Sequence, residues 1–423
     1  MPEIGEILGM LDRDGALHLD DVGEYGPWPE PGPREIALPV DFEALAPDRE
    51  TALDYRRGIR LTRDVVQQVL EGDGGLRGRD NAVPPLDVLG WYQPIHFFAG
   101  NWGTFIRESA MVALARDLAP RFQQFADRRS TEAHVAILLR AAFVYVYLHE
   151  QYHHKIESLA IRLHVAERRP VYPDFKLKVS KVVAGTDDDL HEALANADAW
   201  HRMGQAPYSG WFASDERQVI REWLEDLFVH SPPGYRRAVE FLRKVPFDAD
   251  EQFLSAQVQE ARVVPGRAYP EEFGIATHLT QALFNLKQNV WTLVPAGEEP
   301  ILPTISGAFP LATAKLERYI KRQGWTEVSG AGNGSHTKYR HDGQMIILPH
   351  AKDISRTVLS TTAHTLGCKT HELIELASLA ALSECAGCPN TRPRSSPSAN
   401  VERVSGAGRR RHAGVRQKCR GRW

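Results

Sequence analysis

The chain has 423 residues, 43% of them hydrophobic and 25% charged, with a formal net charge of -3. That is ordinary globular composition and too long for one small module, so two or three domains of roughly 100–200 residues are expected. Four cysteines, three of them beyond residue 380, exclude a disulfide framework and point to a reducing, cytoplasmic setting. Met1-Pro2-Glu3 has no basic start and Glu6 and Asp12 break the first apolar stretch, so no signal peptide is expected. The most apolar run, Ala136 to Leu148, contains Arg140 and is shorter than the roughly 20 residues of a membrane span. No span is expected either.

In chain order, residues 1–50 are rich in Pro, Gly and acidic residues and show no sustained period, so they read as a loosely ordered arm. Residues 51–294 read as a mostly helical region. Helices are expected from Thr51 to Leu70, from Thr104 to Asp117 and, longest, from Thr131 to Val165, with Pro170 beyond its end. Trp91 to Phe98 is β-prone, and Lys176 to Val183 alternates as a strand does. Asp187-Asp188-Asp189 opens another helix to Met203, with acidic residues at the positive end of the helix dipole. Further helices follow at Asp215 to His230, Tyr235 to Arg243 and Asp250 to Val263.

Residues 295–310 hold four prolines and two glycines and read as a linker. Residues 311–376 then show an α-β-β-β-α order: helix Ala312 to Gln323, three short strands ending at Val328, His341 and Leu348, and helix Ile354 to Leu366. Residues 377–423 read as a disordered basic tail, since ten Arg and Lys residues after Asn390 face only Glu402. Such a tail could add non-specific affinity for RNA. Its lone Cys385-Ala386-Gly387-Cys388 lacks the second pair a zinc ribbon needs. The expected fold class is α+β, multidomain.

His149-Glu150-Gln151-Tyr152-His153 is an HExxH motif on the longest helix. Residues four apart share a helical face, so His149 and His153 can hold one divalent ion while Glu150 is placed to take a proton from water. Imidazole and carboxylate donors suit Zn2+, which lowers the pKa of water toward 7. Two candidates compete for third ligand. Glu192 sits on an Ala-rich helix able to pack closely; Glu157 lies one turn past His153, along the same helix, where tetrahedral geometry is poorer. Asp198 is a candidate to orient a ligand histidine from outside. His96, among aromatics, reads as structural rather than catalytic.

The stretch from Trp91 to Arg202, with PIHFFAGNWGTFIRE, YLHEQYHHKIESLAIRL and DDDLHEALANADAWHR, resembles a bacterial group of zincin-like metallohydrolases. The resemblance supports Glu192 as third ligand and implies a hydrolytic chemistry without naming a substrate. Zincin-like sites usually back the metal helix with a substrate-pairing strand, for which Tyr92 to Phe98 is the candidate.

In the C-terminal unit, alternation puts His336, Lys338 and Arg340 on one side of a strand. Two cations flanking an imidazole suit a phosphodiester: the cations hold phosphate and the histidine moves protons. A solvated charged face would give the same pattern. Residues 311–376 resemble the HicA family of toxin mRNA interferases, through Gly324-Trp325, Gly334-Ser335-His336, Pro349-His350 and Leu366-Gly367. The resemblance implies a double-stranded-RNA-binding-domain-like fold, a metal-independent RNA endonuclease with His336 catalytic, mRNA as ligand and a HicB-type antitoxin as partner. HicA proteins usually stand alone, whereas this unit trails a large metal-binding region. The expected function is therefore a toxin-antitoxin-type protein whose HicA-like domain is fused to a zinc metallohydrolase. The alternative is a zinc metallopeptidase in which that domain only binds RNA or regulates.

Overall fold

The computed structural model describes residues 4–377, apart from 26–27, 48–57, 73–75, 79–80, 263–281, 306–310, 329–335, 350–353, 355, 369–372 and 375. The chain opens with α1 (Ile4–Arg13), β1 (Glu35–Pro39), α2 (Phe42–Leu45) and α3 (Arg63–Glu71). Next come β2 (Gly90–Gln93), α4 (Ile95–Phe98), β3 (Gly103–Arg107), α5 (Glu108–Phe122) and α6 (Thr131–Glu167). Three short helical pieces follow, α7 (Val171–Phe175), a π-helical turn at Lys176–Ser180 and α8 (Lys181–Val183). Then α9 (Leu190–Met203), α10 (Ser214–Val229), α11 (Lys244–Glu260) and β4 (Val290–Pro295) complete the larger part. The smaller part is α12 (Thr313–Arg322), β5 (Thr326–Glu327), β6 (His336–His341), β7 (Gln344–Pro349) and α13 (Arg356–Thr365). The fold is helix-rich α+β.

At the centre of the larger core lies α6. The Ser130 hydroxyl accepts from the Ala133 amide at its start, and Arg168 ends it in the left-handed region at φ 55°. Its length and apolarity would suffice to cross a bilayer, but 83% of its most apolar window is buried inside the protein. It is a core helix. Even Arg140, which marked this stretch as non-membrane, is buried, its Nε donating to the Leu45 carbonyl at 3.0 Å. Packed directly on α6 are α5 and α9, the latter capped by Asp189, whose carboxylate accepts from the Glu192 amide at 3.5 Å.

A four-stranded sheet of order β1-β4-β3-β2 closes the larger part, with β3 and β4 parallel and the other pairs antiparallel. This arrangement corrects several sequence expectations. The described residues between Ile4 and Pro47 are not a loose arm: β1 pairs with β4, and Ile7, Leu11, Tyr25, Val40, Phe42 and Leu45 are buried in the main core. Thr104 to Arg107 is strand rather than helix, because its backbone pairs with β2 on one side and β4 on the other; the helix starts at Glu108. The extended run from Trp91 stops at Gln93, where Pro94 turns the chain into α4. Lys176 to Val183 is helical, continuing from α7 with Val179 in the core. Short apolar alternation does not by itself separate strand from helix.

The first half of the expected linker is docked. Glu108 accepts from the Ile301 and Leu302 amides at 2.9 Å and from the Thr292 hydroxyl at 3.2 Å, and Leu302 is buried. Thr304 bridges to Val40.

The smaller part has its own core of Leu316, Ile320, Trp325, Tyr339, Leu348 and Leu359, among others. Its elements follow the expected α-β-β-β-α order, in an antiparallel sheet β5-β6-β7. Gly324 at φ 87° makes the turn from α12 that seats Trp325. The Cys385–Cys388 pair and the basic stretch after it lie outside the described residues.

Candidate metal centre

The motif histidines face α9. His149 and His153 are buried, and their Nε2 atoms lie 3.1 Å apart. Glu192 reaches across from α9 with Oε2 at 3.1 Å from His149 Nε2 and 3.6 Å from His153 Nε2. A tetrahedral zinc with ligand bonds of roughly 2.0–2.1 Å separates neighbouring donors by about 3.3 Å, so these three atoms outline one face of such a site.

Each ring is held from behind. His149 Nδ1 is 2.9 Å from Asn196 Oδ1, which also accepts from the Tyr145 hydroxyl at 3.0 Å. His153 Nδ1 is 3.0 Å from His191 Nε2. With both ligand rings donating from Nδ1, each presents an Nε2 lone pair to the space beside Glu192. Tyr235 stacks on His149 at 6.0 Å between ring centres and donates its hydroxyl to Asp87 at 3.2 Å.

Glu150 is 1% exposed, and neither of its oxygens has a hydrogen-bond partner of normal geometry among the described residues. The Tyr92 backbone amide acts on it as a donor, but a carboxylate buried without well-formed hydrogen bonds is costly. Its donor atoms and those of His149 and His153 lie within 4.8 Å of one another, and so do those of His153, His191 and Glu192.

Burial pushes the Glu150 carboxyl well above the usual carboxylate range, with the Asp87 and Glu192 charges adding to it. Burial likewise raises Glu192 and Asp189, against the pull of the Lys176 ammonium. Asp87 is pushed up to about 6 by desolvation and by the Glu192 charge. The histidines move the other way: burial lowers His149 to about 4 and holds His153 and His191 well below the ordinary value. Unprotonated imidazoles beside carboxyls that resist ionising are what a divalent cation would relieve, by supplying the missing positive charge.

Several candidate residues lie elsewhere. Glu157 does not compete for the metal: its carboxylate accepts from the Ile95 and His96 amides at 3.0 and 2.9 Å, from Tyr92 Oη at 2.5 Å, and pairs with His96 Nδ1 at 2.6 Å. It thereby caps the start of α4 from across the core and gives His96 a structural partner. Asp198 orients neither ligand; Oδ1 accepts from Lys155 Nζ at 3.0 Å. From Glu192, Asn196 is four residues on and shares its face, whereas Asp198 is six on and points away. Asn196 and His191 hold the rings instead. Of the additional residues at the site, His191 carries a sequence signal, since it is a histidine directly before Glu192 on the same helix. Asp87, Lys176 and Tyr235 come from segments with no motif of their own.

In the smaller part, His336 opens β6 opposite Pro349. Tyr339 is buried toward the core, Arg340 is exposed and Lys338 half-buried, so the two basic positions fall on the face away from Tyr339. Gly334, Ser335 and His350 of the quoted motifs lie outside the described residues.

Comparison with known proteins adds no relative. No family model matches this chain, and no curated protein or solved structure matches it.

Proposed function

We propose that this protein is a zinc-dependent hydrolase of the zincin-like kind, acting on amide bonds, with His149, His153 and Glu192 as ligands and Glu150 as general base. The observation that carries the reading is the 3.1, 3.1 and 3.6 Å triangle of donor atoms with the buried Glu150 carboxyl beside it. Zinc there supplies Lewis acidity that polarises a carbonyl and brings the pKa of water toward 7. Glu150 takes the proton of the attacking water and returns it to the leaving amine as the C–N bond breaks. Asn196 and His191 keep the two rings turned to the site, and Tyr235 stacks on His149 while its hydroxyl donates to Asp87. The test is Glu150→Gln in purified full-length protein assayed on a fluorogenic peptide library. Zinc content should stay unchanged while hydrolysis falls by about 10²-fold or more. A variant as active as the parent would refute the role.

A second reading concerns the smaller part, because its element order and sheet order accompany basic positions on the face away from its core. We infer a double-stranded-RNA-binding-domain-like, HicA-like module that binds mRNA through Lys338 and Arg340, with His336 as the residue that would cleave it. A HicB-type antitoxin and a cytoplasmic location go with that reading. Growth arrest on expression should survive Glu150→Gln and disappear in His336→Ala. Arrest that tracks Glu150 instead would assign toxicity to the zinc site and leave the C-terminal module an RNA-binding or regulatory one.

A further inference from the structure

Outside the histidine–carboxylate site, a cavity of about 420 Å³ opens between α6, α9 and α11. It uses the other side of the same two helices. Gln151 and Lys155 are each two residues past a motif histidine, about 200° round α6, and Asp198 and Arg202 lie on α9 away from Glu192.

At this cavity Lys155, Asp198 and Glu251 are 7, 5 and 8% exposed. Lys155 Nζ donates to Asp198 Oδ1 at 3.0 Å but stands 3.9 Å from Glu251 Oε1, too far for a hydrogen bond. Arg202 donates to Gln151 Oε1 at 2.7 Å and comes no nearer than 3.6 Å to Asp198 Oδ2. Asp198 Oδ2 and Glu251 Oε1 therefore have no hydrogen-bond donor among the described residues. Helix-packing surfaces of this depth normally carry apolar residues, and a buried carboxylate oxygen without a donor is costly. Burial also raises the Glu251 carboxyl, a sign that Lys155 alone does not satisfy it.

We propose that this cavity is a binding site for a small primary amine, whose ammonium donates to Asp198 Oδ2 and Glu251 Oε1. An ammonium brings three donors to two acceptors that lack one, within a cluster where Lys155 and Arg202 already offset part of the carboxylate charge. The volume lies at the small end of ligand sites. Arg202 also lines the cavity, so the amine can come from an amino acid, whose carboxylate Arg202 would hold, or from a free diamine, which needs no such partner.

Titration calorimetry on the full-length protein distinguishes them, with putrescine, L-glutamine and acetate as probes. Saturable binding of putrescine, L-glutamine or both is expected, acetate giving none. Glutamine alone points to an amino acid, and putrescine alone to a diamine. Glu251→Gln should weaken binding at least tenfold with zinc content unchanged; Asp198→Asn should do the same, and if it fails to fold, Glu251→Gln carries the test by itself. Absence of binding by both amines at millimolar concentration, equal binding of acetate, or affinity preserved within twofold in Glu251→Gln would overturn the proposal and leave the cavity to water.

Discussion

The side chain of Asn196, on α9, holds His149, on α6, through a 2.9 Å contact between Oδ1 and the ring Nδ1. The contact ties the position of the first motif histidine to the packing of two core helices rather than to the motif itself. His191 does the same for His153 at 3.0 Å.

Asn196→Ala and His191→Ala should each weaken zinc affinity about 10–100-fold, the usual cost of removing an outer partner of a ligand histidine. Asp198→Asn should leave it within about twofold, since Asp198 contacts Lys155 and neither ring. Competition titration against a chromogenic chelator reads all three. Equal losses in all three would mean general unfolding of α9 rather than ring orientation.

Zinc affinity should fall on acidification, and the carboxylates rather than the imidazoles should set where the fall begins. Glu192 must ionise to bind metal, and burial holds its carboxyl above the usual range, so protons compete as pH drops through that raised value. His149, lowered to about 4, stays unprotonated through the same interval. The fall should approach about one decade per pH unit for each proton displaced. Glu192→Gln should flatten the profile while lowering affinity overall, and a profile as steep in that variant as in the parent would contradict this.

Glu157→Ala should cost about 3–5 kcal/mol in urea unfolding, the usual cost of breaking a buried pair, because Glu157 and His96 are both fully buried. Burial alone would raise the Glu157 carboxyl, but the His96 hydrogen bond and charge, with Tyr92, lower it below its ordinary value. A carboxyl depressed in the folded chain adds stability above its unfolded value of about 4.3, lost as pH falls through the depressed folded value. The variant should therefore lose less stability on acidification below pH ~4 than the parent does.

For the smaller part, Lys338→Ala and Arg340→Ala should each weaken RNA binding across sequences and reduce the salt slope by about 1. His336→Ala should abolish cleavage of mRNA while leaving that slope nearly intact. An unchanged slope in the double Lys338, Arg340 variant would remove this face from RNA recognition.

The parts of the fold legible in the sequence were those with local causes. The i, i+4 spacing put His149 and His153 on one face, and the Ala-rich 189–198 segment brought Glu192 within 3.1 Å of His149. The helix and strand order of residues 313–365 followed from short periodic runs and turn residues such as Gly324. What was not legible was set by distant partners. Thr104 to Arg107 pairs with β4, and β1 with the same strand, across more than 180 residues, so neither strand had a local signature strong enough to outweigh helical or loop composition. Glu157 lies on the motif helix, yet its destination depended on the amides of Ile95 and His96. Asp87 and Tyr235 reach the site through loop and short-helix geometry that no spacing rule encodes.

Metal content of the purified full-length protein tests the central claim most directly. Elemental analysis after gel filtration should find close to one zinc per chain, falling to near zero in His149→Ala/His153→Ala and sharply reduced in Glu192→Ala, with helix content preserved by circular dichroism. Metal-free protein that fails to take up zinc on titration, or zinc retained in the double histidine variant, would contradict the account.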